Sequence, residues 1–189
     1  MKFFLNKANE LPVQPDFCVN NFGQLEFPLN ESRANDLIKV CKPTSFSSFN
    51  DSSQSEADVI RDVDLRVRDS FELDPSEFEI KNPEWQIKID LLAQQAAEHL
   101  SHGFKSMNPD GEKKCPVSAI LYRMLLYKIN GHFGRHRDRI KEKNQFGTLV
   151  VQMPCKYTGG EFIAYKPDNT KEYCDLGQSS GKNFLRIKF

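Results

Sequence analysis

Gly131-His132-Phe133-Gly134-Arg135-His136-Arg137-Asp138 is the stretch on which the reading of this chain turns. In an extended strand, side chains two positions apart point to the same face. His136 and Asp138 then converge, while Arg135, Arg137 and Arg139 face the other way. One imidazole nitrogen and one carboxylate oxygen on a common face are two-thirds of the donor set that holds non-heme iron(II), with neighbouring positions left open. Alone, the pair is a weak signal. Four histidines and thirteen aspartates in 189 residues supply about 0.3 His-x-Asp pairs by chance. On the pair alone, a solvated pair beside a basic turn is the better reading.

Working outward, residues 119–128 are apolar and aromatic. Residues 148–153, 161–165 and 184–189 repeat that character, and Asn130-Gly131, Gly147, Gly159-Gly160 and Gly177 to Gly181 separate the runs. Short strands with such punctuation point to a sandwich or jelly roll. Roughly five strands can be counted here, against about eight in a double-sheet jelly roll. The β part, placed from about residue 118, reads as unfinished.

Upstream the pattern is different. Asn30 can cap a short helix over residues 30–41, with Ala34, Leu37, Ile38 and Cys41 on one face. Pro43 and a run of serines make 42–56 a loop, and alternating apolar and charged residues over 58–73 suggest a short exposed strand. The clearest helix is predicted over 83–102. Asn82 caps it, Pro83 opens it and Glu84 suits the positive end of its dipole. Trp85, Ile89, Leu92, Ala96 and Leu100 form one stripe, and Gly103 can close it. The expected organisation is α+β: a polar region over 1–80, a long helix and loop over 81–117, and a partial jelly roll over 118–189.

Composition narrows the classes. The chain carries 26 basic and 26 acidic side chains, a balance that disfavours a dedicated nucleic-acid binder. No apolar run is long enough for a signal peptide or a membrane span, so an intracellular protein, cytoplasmic or nuclear, is expected. Five widely spaced cysteines without a C-x-x-C pair read as reduced, buried thiols.

Taken together, Leu126-Tyr127, Gly131, Phe133, His136-x-Asp138, Gly147-Thr148-Leu149-Val150-Val151, Pro154 and Gly159-Gly160-Glu161 resemble the prolyl 4-hydroxylase-type domain of the 2-oxoglutarate/iron(II)-dependent dioxygenases. Asp64-x-Arg66 and Asn82-Pro83-x-Trp85 extend the likeness upstream. The resemblance spans residues 36–189 and is densest over 121–163. It implies that His136 and Asp138 bind Fe(II), with 2-oxoglutarate as co-substrate, ascorbate as a supporting reductant, and a protein or peptide as substrate. It also implies a second histidine on a later strand and a basic residue that anchors the co-substrate. No histidine follows Asp138 in the 189 residues. The expectation is therefore a chain truncated before that histidine, inactive or weakly active, with a catalytically degenerate binding or regulatory module of the same fold as the alternative.

Other residues carry less. Tyr127 can bond the co-substrate carboxylate or simply pack. The related tyrosine of the family usually lies nearer the His-x-Asp pair, where this chain has Phe133. His132 reads as a turn residue, His99 and His102 as partners of a helix C-terminus, and Thr148 as the start of a core strand. The basic run Arg135, Arg137, Arg139, Lys141, Lys143, interrupted by Asp138 and Glu142, reads as a solvated rim.

Overall fold

The computed structural model describes residues 9–10, 13–47, 61–104, 116–136, 138, 143–166, 168–174 and 184–188, without the side chains of 9–10, 46–47, 61–62, 99–104, 174 and 184–188. Two α-helices and several small antiparallel sheets give an α+β architecture.

Asn30 starts the first helix, α1 (Glu31–Ile38), as its side chain accepts a hydrogen bond from the Arg33 amide at 2.8 Å. The helix stops three residues short of the predicted end. Bonds from Val40 to Leu37 and from Cys41 to Ile38 tighten the last turn. Leu37, on its inner face, is only 1% exposed. The second helix, α2 (Pro83–Phe104), is capped by Asn82, whose side-chain oxygen accepts from the Glu84 amide at 3.0 Å. It buries Trp85, Ile89, Ala93 and Ala96, with Leu92 half-buried beside them. Gly103 lies inside this helix rather than closing it. Among the described residues no helix is long and apolar enough to cross a membrane.

Three sheets have three strands each. Phe17–Val19 lies between Gly23–Gln24 and Phe78–Ile80; Phe71–Leu73 lies between Lys42–Pro43 and Met124–Leu126; Phe184–Lys188 lies between Asn9–Glu10 and Thr148–Gln152. Three further antiparallel pairs join His132–Phe133 to Arg68–Asp69, Phe162–Tyr165 to Lys171–Cys174, and Phe46–Ser47 to Arg61–Asp62. Strands that precede α2 thus pair with strands that follow it.

Two apolar clusters sit under these sheets. Phe17, Val19, Leu25, Leu37, Leu73 and Phe78 form one, with Phe17 and Phe78 stacked at 5.1 Å between ring centroids. Val13, Trp85 and Ile89 form the other. Ile80 and Met153 pack against both, so α2 and the N-terminal sheet share a continuous interior. Each large side chain buried there contributes about 1.5–3 kcal/mol. A charged tie crosses the middle sheet. Glu72, 4% exposed, accepts from Arg123 Nη1 at 2.5 Å, while Lys42 bonds the neighbouring Asp74.

The expected single strand over 58–73 is not continuous. Asp64 Oδ1 accepts from the Arg66 amide at 2.9 Å, and its carbonyl accepts from Val67 and Arg68. This side chain competes for the backbone and folds residues 64–67 into a turn. The chain resumes as Arg68–Asp69 and Phe71–Leu73. The predicted loop over 42–56 contains the short strands Lys42–Pro43 and Phe46–Ser47; residues 48–60, with most of the serine run, lie outside the described residues. The strand expected over 119–128 shrinks to Met124–Leu126. Lys171–Cys174 was not anticipated; a turn in which Asp168 accepts from Thr170 and Asn169 takes φ 62° leads into it.

Candidate metal centre

The site depends on a close backbone approach at Gly131. Its amide donates to the Lys128 carbonyl at 2.8 Å, and Asn130 before it adopts φ 62°. A Cβ at position 131 would lie 2.8 Å from the Lys128 oxygen and 2.9 Å from the Asp69 oxygen, so only glycine fits. The chain then pairs His132–Phe133 with Arg68–Asp69, and the Gly134 amide donates to the Val67 carbonyl at 2.8 Å.

There the ladder ends. His136 and Asp138 lie beyond the strand, which corrects the expectation that a pleated strand carries both. They converge nonetheless, because the imidazole folds back on its own loop. His136 Nδ1 lies 2.9 Å from the Gly134 oxygen, and Nε2 lies 3.3 Å from Asp138 Oδ1. A carbonyl oxygen only accepts, so Nδ1 carries a proton. In the neutral ring Nε2 then presents its lone pair to a carboxylate oxygen. A proton on Nε2, giving an ion pair, or a metal ion would each fit between two such atoms 3.3 Å apart. An ion about 2.1 Å from each donor holds them about 3.0 Å apart at a right angle and about 3.4 Å apart at the tetrahedral angle. The observed separation falls in that interval. A backbone carbonyl on the distal imidazole nitrogen is also the usual outer support of a metal-bound histidine.

The ring plane is held from above. Phe133 stacks on His136 with centroids 3.6 Å apart and 16° between planes, and the Arg68 guanidinium carbon lies 4.1 Å from the Phe133 centroid. Arg68 Nε in turn donates to Ser70 Oγ at 3.0 Å, and Ser70 is buried. About a third of each side chain, 34% for His136 and 33% for Asp138, stays open to solvent. Arg135 Nη2 donates to Asn169 Oδ1 at 3.0 Å, and its guanidinium covers Tyr165 at 4.2 Å.

Among the described residues, no third His, Cys, Asp or Glu joins the pair. Tyr127 follows the Met124–Leu126 strand and is 43% exposed. His132 sits in the short strand with its ring nitrogens 3.3 Å from the Asn130 oxygen and 3.2 Å from the Arg66 oxygen. Thr148 opens the strand Thr148–Gln152. His99 and His102 belong to α2, but their side chains, like residues Arg137, Arg139 and Lys141, lie outside the description.

No family model, curated protein or solved structure matches the chain.

Two contributors to the site went unnoticed in the sequence, Arg68 and the Gly134 carbonyl. Arg68 is 68 residues from His136 in sequence, and only the pairing of Arg68–Asp69 with His132–Phe133 brings it near. Among the described residues no thiol joins the pair. Cys18, Cys41 and Cys155 are free and half-buried rather than fully buried. Burial, helped by Glu77, pushes the Cys41 thiol up to about 11, and burial also raises Cys155. Hydrogen bonds from Arg66 hold the Asp64 carboxyl below the usual range. Cys115 lies outside the described residues, as does the Cys174 side chain.

Proposed function

We propose that this chain carries the His-x-Asp part of a prolyl 4-hydroxylase-type, 2-oxoglutarate/iron(II)-dependent dioxygenase site, built on a jelly-roll-type core. His136 Nε2 and an Asp138 oxygen would hold Fe(II) in two adjacent positions. The observation that carries the reading is the His136–Asp138 geometry: Nδ1 tied to the Gly134 carbonyl, Nε2 turned 3.3 Å from the carboxylate. The donor set, one neutral nitrogen and one hard oxygen, suits ferrous iron. When bound, iron(II) with a 2-oxo acid and dioxygen supplies oxidation of an unactivated C–H bond, and the protein contributes orientation and shielding. Tyr127 is the group we assign to the co-substrate carboxylate. A protein or peptide is the substrate class that accompanies this lineage.

Two protein ligands hold iron(II) less tightly than three, and losing a ligand or its support in such sites reduces activity severely. With the two donors found among the described residues, metal binding is expected to be weak and 2-oxoglutarate turnover poor. Anaerobic titration with Fe(II) and 2-oxoglutarate tests this. A visible absorbance band that needs both components, and that is lost in His136→Ala, supports the reading; no band at any concentration refutes it.

A second reading is favoured by the two-donor count among the described residues. In it, a proton bridges His136 and Asp138, and the fold serves as a binding or regulatory module without chemistry. An ion pair with a third of each side chain exposed adds about 0–1 kcal/mol to stability. Metal-independent thermal melting separates the two readings, because only the metal site is stabilised by added divalent cation.

A further inference from the structure

We propose that Phe133 and Arg68 are positioning residues that fix the plane of the His136 imidazole and so aim Nε2 at the point between it and Asp138; this deepens the metal-site reading and rests on it. Phe133 meets the imidazole face to face, at 3.6 Å and 16°. The Arg68 guanidinium carbon is 4.1 Å from the same phenyl centroid. Two planar groups cannot share one face of a six-membered ring at those distances, so imidazole, phenyl and guanidinium form three layers in that order. The outer layer is itself fixed. Arg68 belongs to the strand paired with His132–Phe133, and its Nε is bonded to the buried Ser70 hydroxyl.

The stack supplies what the hydrogen bond to Gly134 leaves undetermined. A single bond at Nδ1 fixes the tautomer but lets the ring rotate about that contact. Rotation would carry Nε2 away from Asp138. A flat aromatic face at van der Waals distance blocks it, and an arginine over the opposite face keeps the phenyl in place through cation–π attraction. Lysine cannot replace that flat contact, since its ammonium is a compact point charge. Among the described residues Phe133 belongs to neither apolar cluster, so its removal is expected to leave both clusters intact.

The test uses the full chain and two readouts. Ring-proton NMR of the four histidines, with His136 assigned by His136→Asn, reports the stack without metal. Co(II) titration reports aim. In the native chain the His136 ring protons lie upfield of those of the other histidines. Phe133→Leu returns them to ordinary positions and weakens Co(II) binding about tenfold, whereas Phe133→Tyr keeps both shift and affinity. Arg68→Lys moves the His136 signals part of the way. Ordinary His136 signals in the native chain, or signals unmoved by Phe133→Leu, overturn the proposal. So does Co(II) affinity that Leu and Tyr at position 133 lower equally. Signals unmoved by Arg68→Lys remove Arg68 from it. If the native chain binds no Co(II), the metal reading falls, and the histidine spectrum still decides whether the stack holds the ring.

Discussion

Alanine at position 131 should damage this protein more than alanine at position 134, although both glycines flank the same short strand, His132–Phe133. A methyl group at 131 would lie 2.8 Å from the Lys128 oxygen, 2.9 Å from the Asp69 oxygen and 3.1 Å from the Lys128 nitrogen. All three atoms are backbone, and one belongs to the partner strand, so none can rotate away. Relief requires the 128–134 segment to move off Arg68–Asp69, at a cost of about 2–3 kcal/mol by analogy with overpacked interiors. For a chain of this size that lowers Tm by about 4–12 °C. At 134 the close atom among the described residues is the Val67 oxygen at 3.4 Å, an ordinary contact. There the lower entropy of the unfolded alanine chain, about 0.4–1 kcal/mol, offsets the remaining strain, and Tm should stay within about 2 °C. Thermal melting by circular dichroism reads both. Because the displaced strand carries Phe133, Gly131→Ala should also lose metal binding. Equal melting temperatures for the two variants would refute the close approach on which the site is built.

Glu72→Gln removes the nearer carboxylate of Arg123, where Glu72 is 4% exposed, and leaves it only Asp74 Oδ1 at 3.7 Å; a loss of about 3 kcal/mol is expected in urea unfolding, with most of it regained when Met replaces both residues. An unchanged single variant would show the pair to be solvated. Cys41 gives a pH signature: its thiol is raised from 9.0 to about 11, so the protonated form is favoured in the folded state. That contribution is complete below pH 9 and is lost as pH rises through about 11. The urea midpoint of the native chain should fall over this window more steeply than that of Cys41→Ala, and parallel curves would contradict it.

Much of the frame could be read from sequence because it is local. Asn30 and Asn82 cap their helices through bonds within three residues, and the Trp85–Ile89 stripe follows from helical periodicity alone. Strand limits were less legible. Asp64 looks like one polar position in an alternating run, but its side chain captures the Arg66 amide and ends the strand. The convergence of His136 and Asp138 was foreseen from the pleat, yet it arises from a carbonyl two residues back. Sequence order could not reveal that Arg68 completes the stack, since the contact depends on the pairing of two-residue strands far apart in the chain.

Calorimetric titration of the full chain with Co(II), alongside His136→Ala, Asp138→Ala and His132→Ala, tests the metal centre most directly. The geometry predicts one ion per chain, binding abolished by His136→Ala, weakened at least about tenfold by Asp138→Ala, and unaffected by His132→Ala. Identical isotherms for the native chain and His136→Ala, or no heat of binding in the native chain, would contradict it.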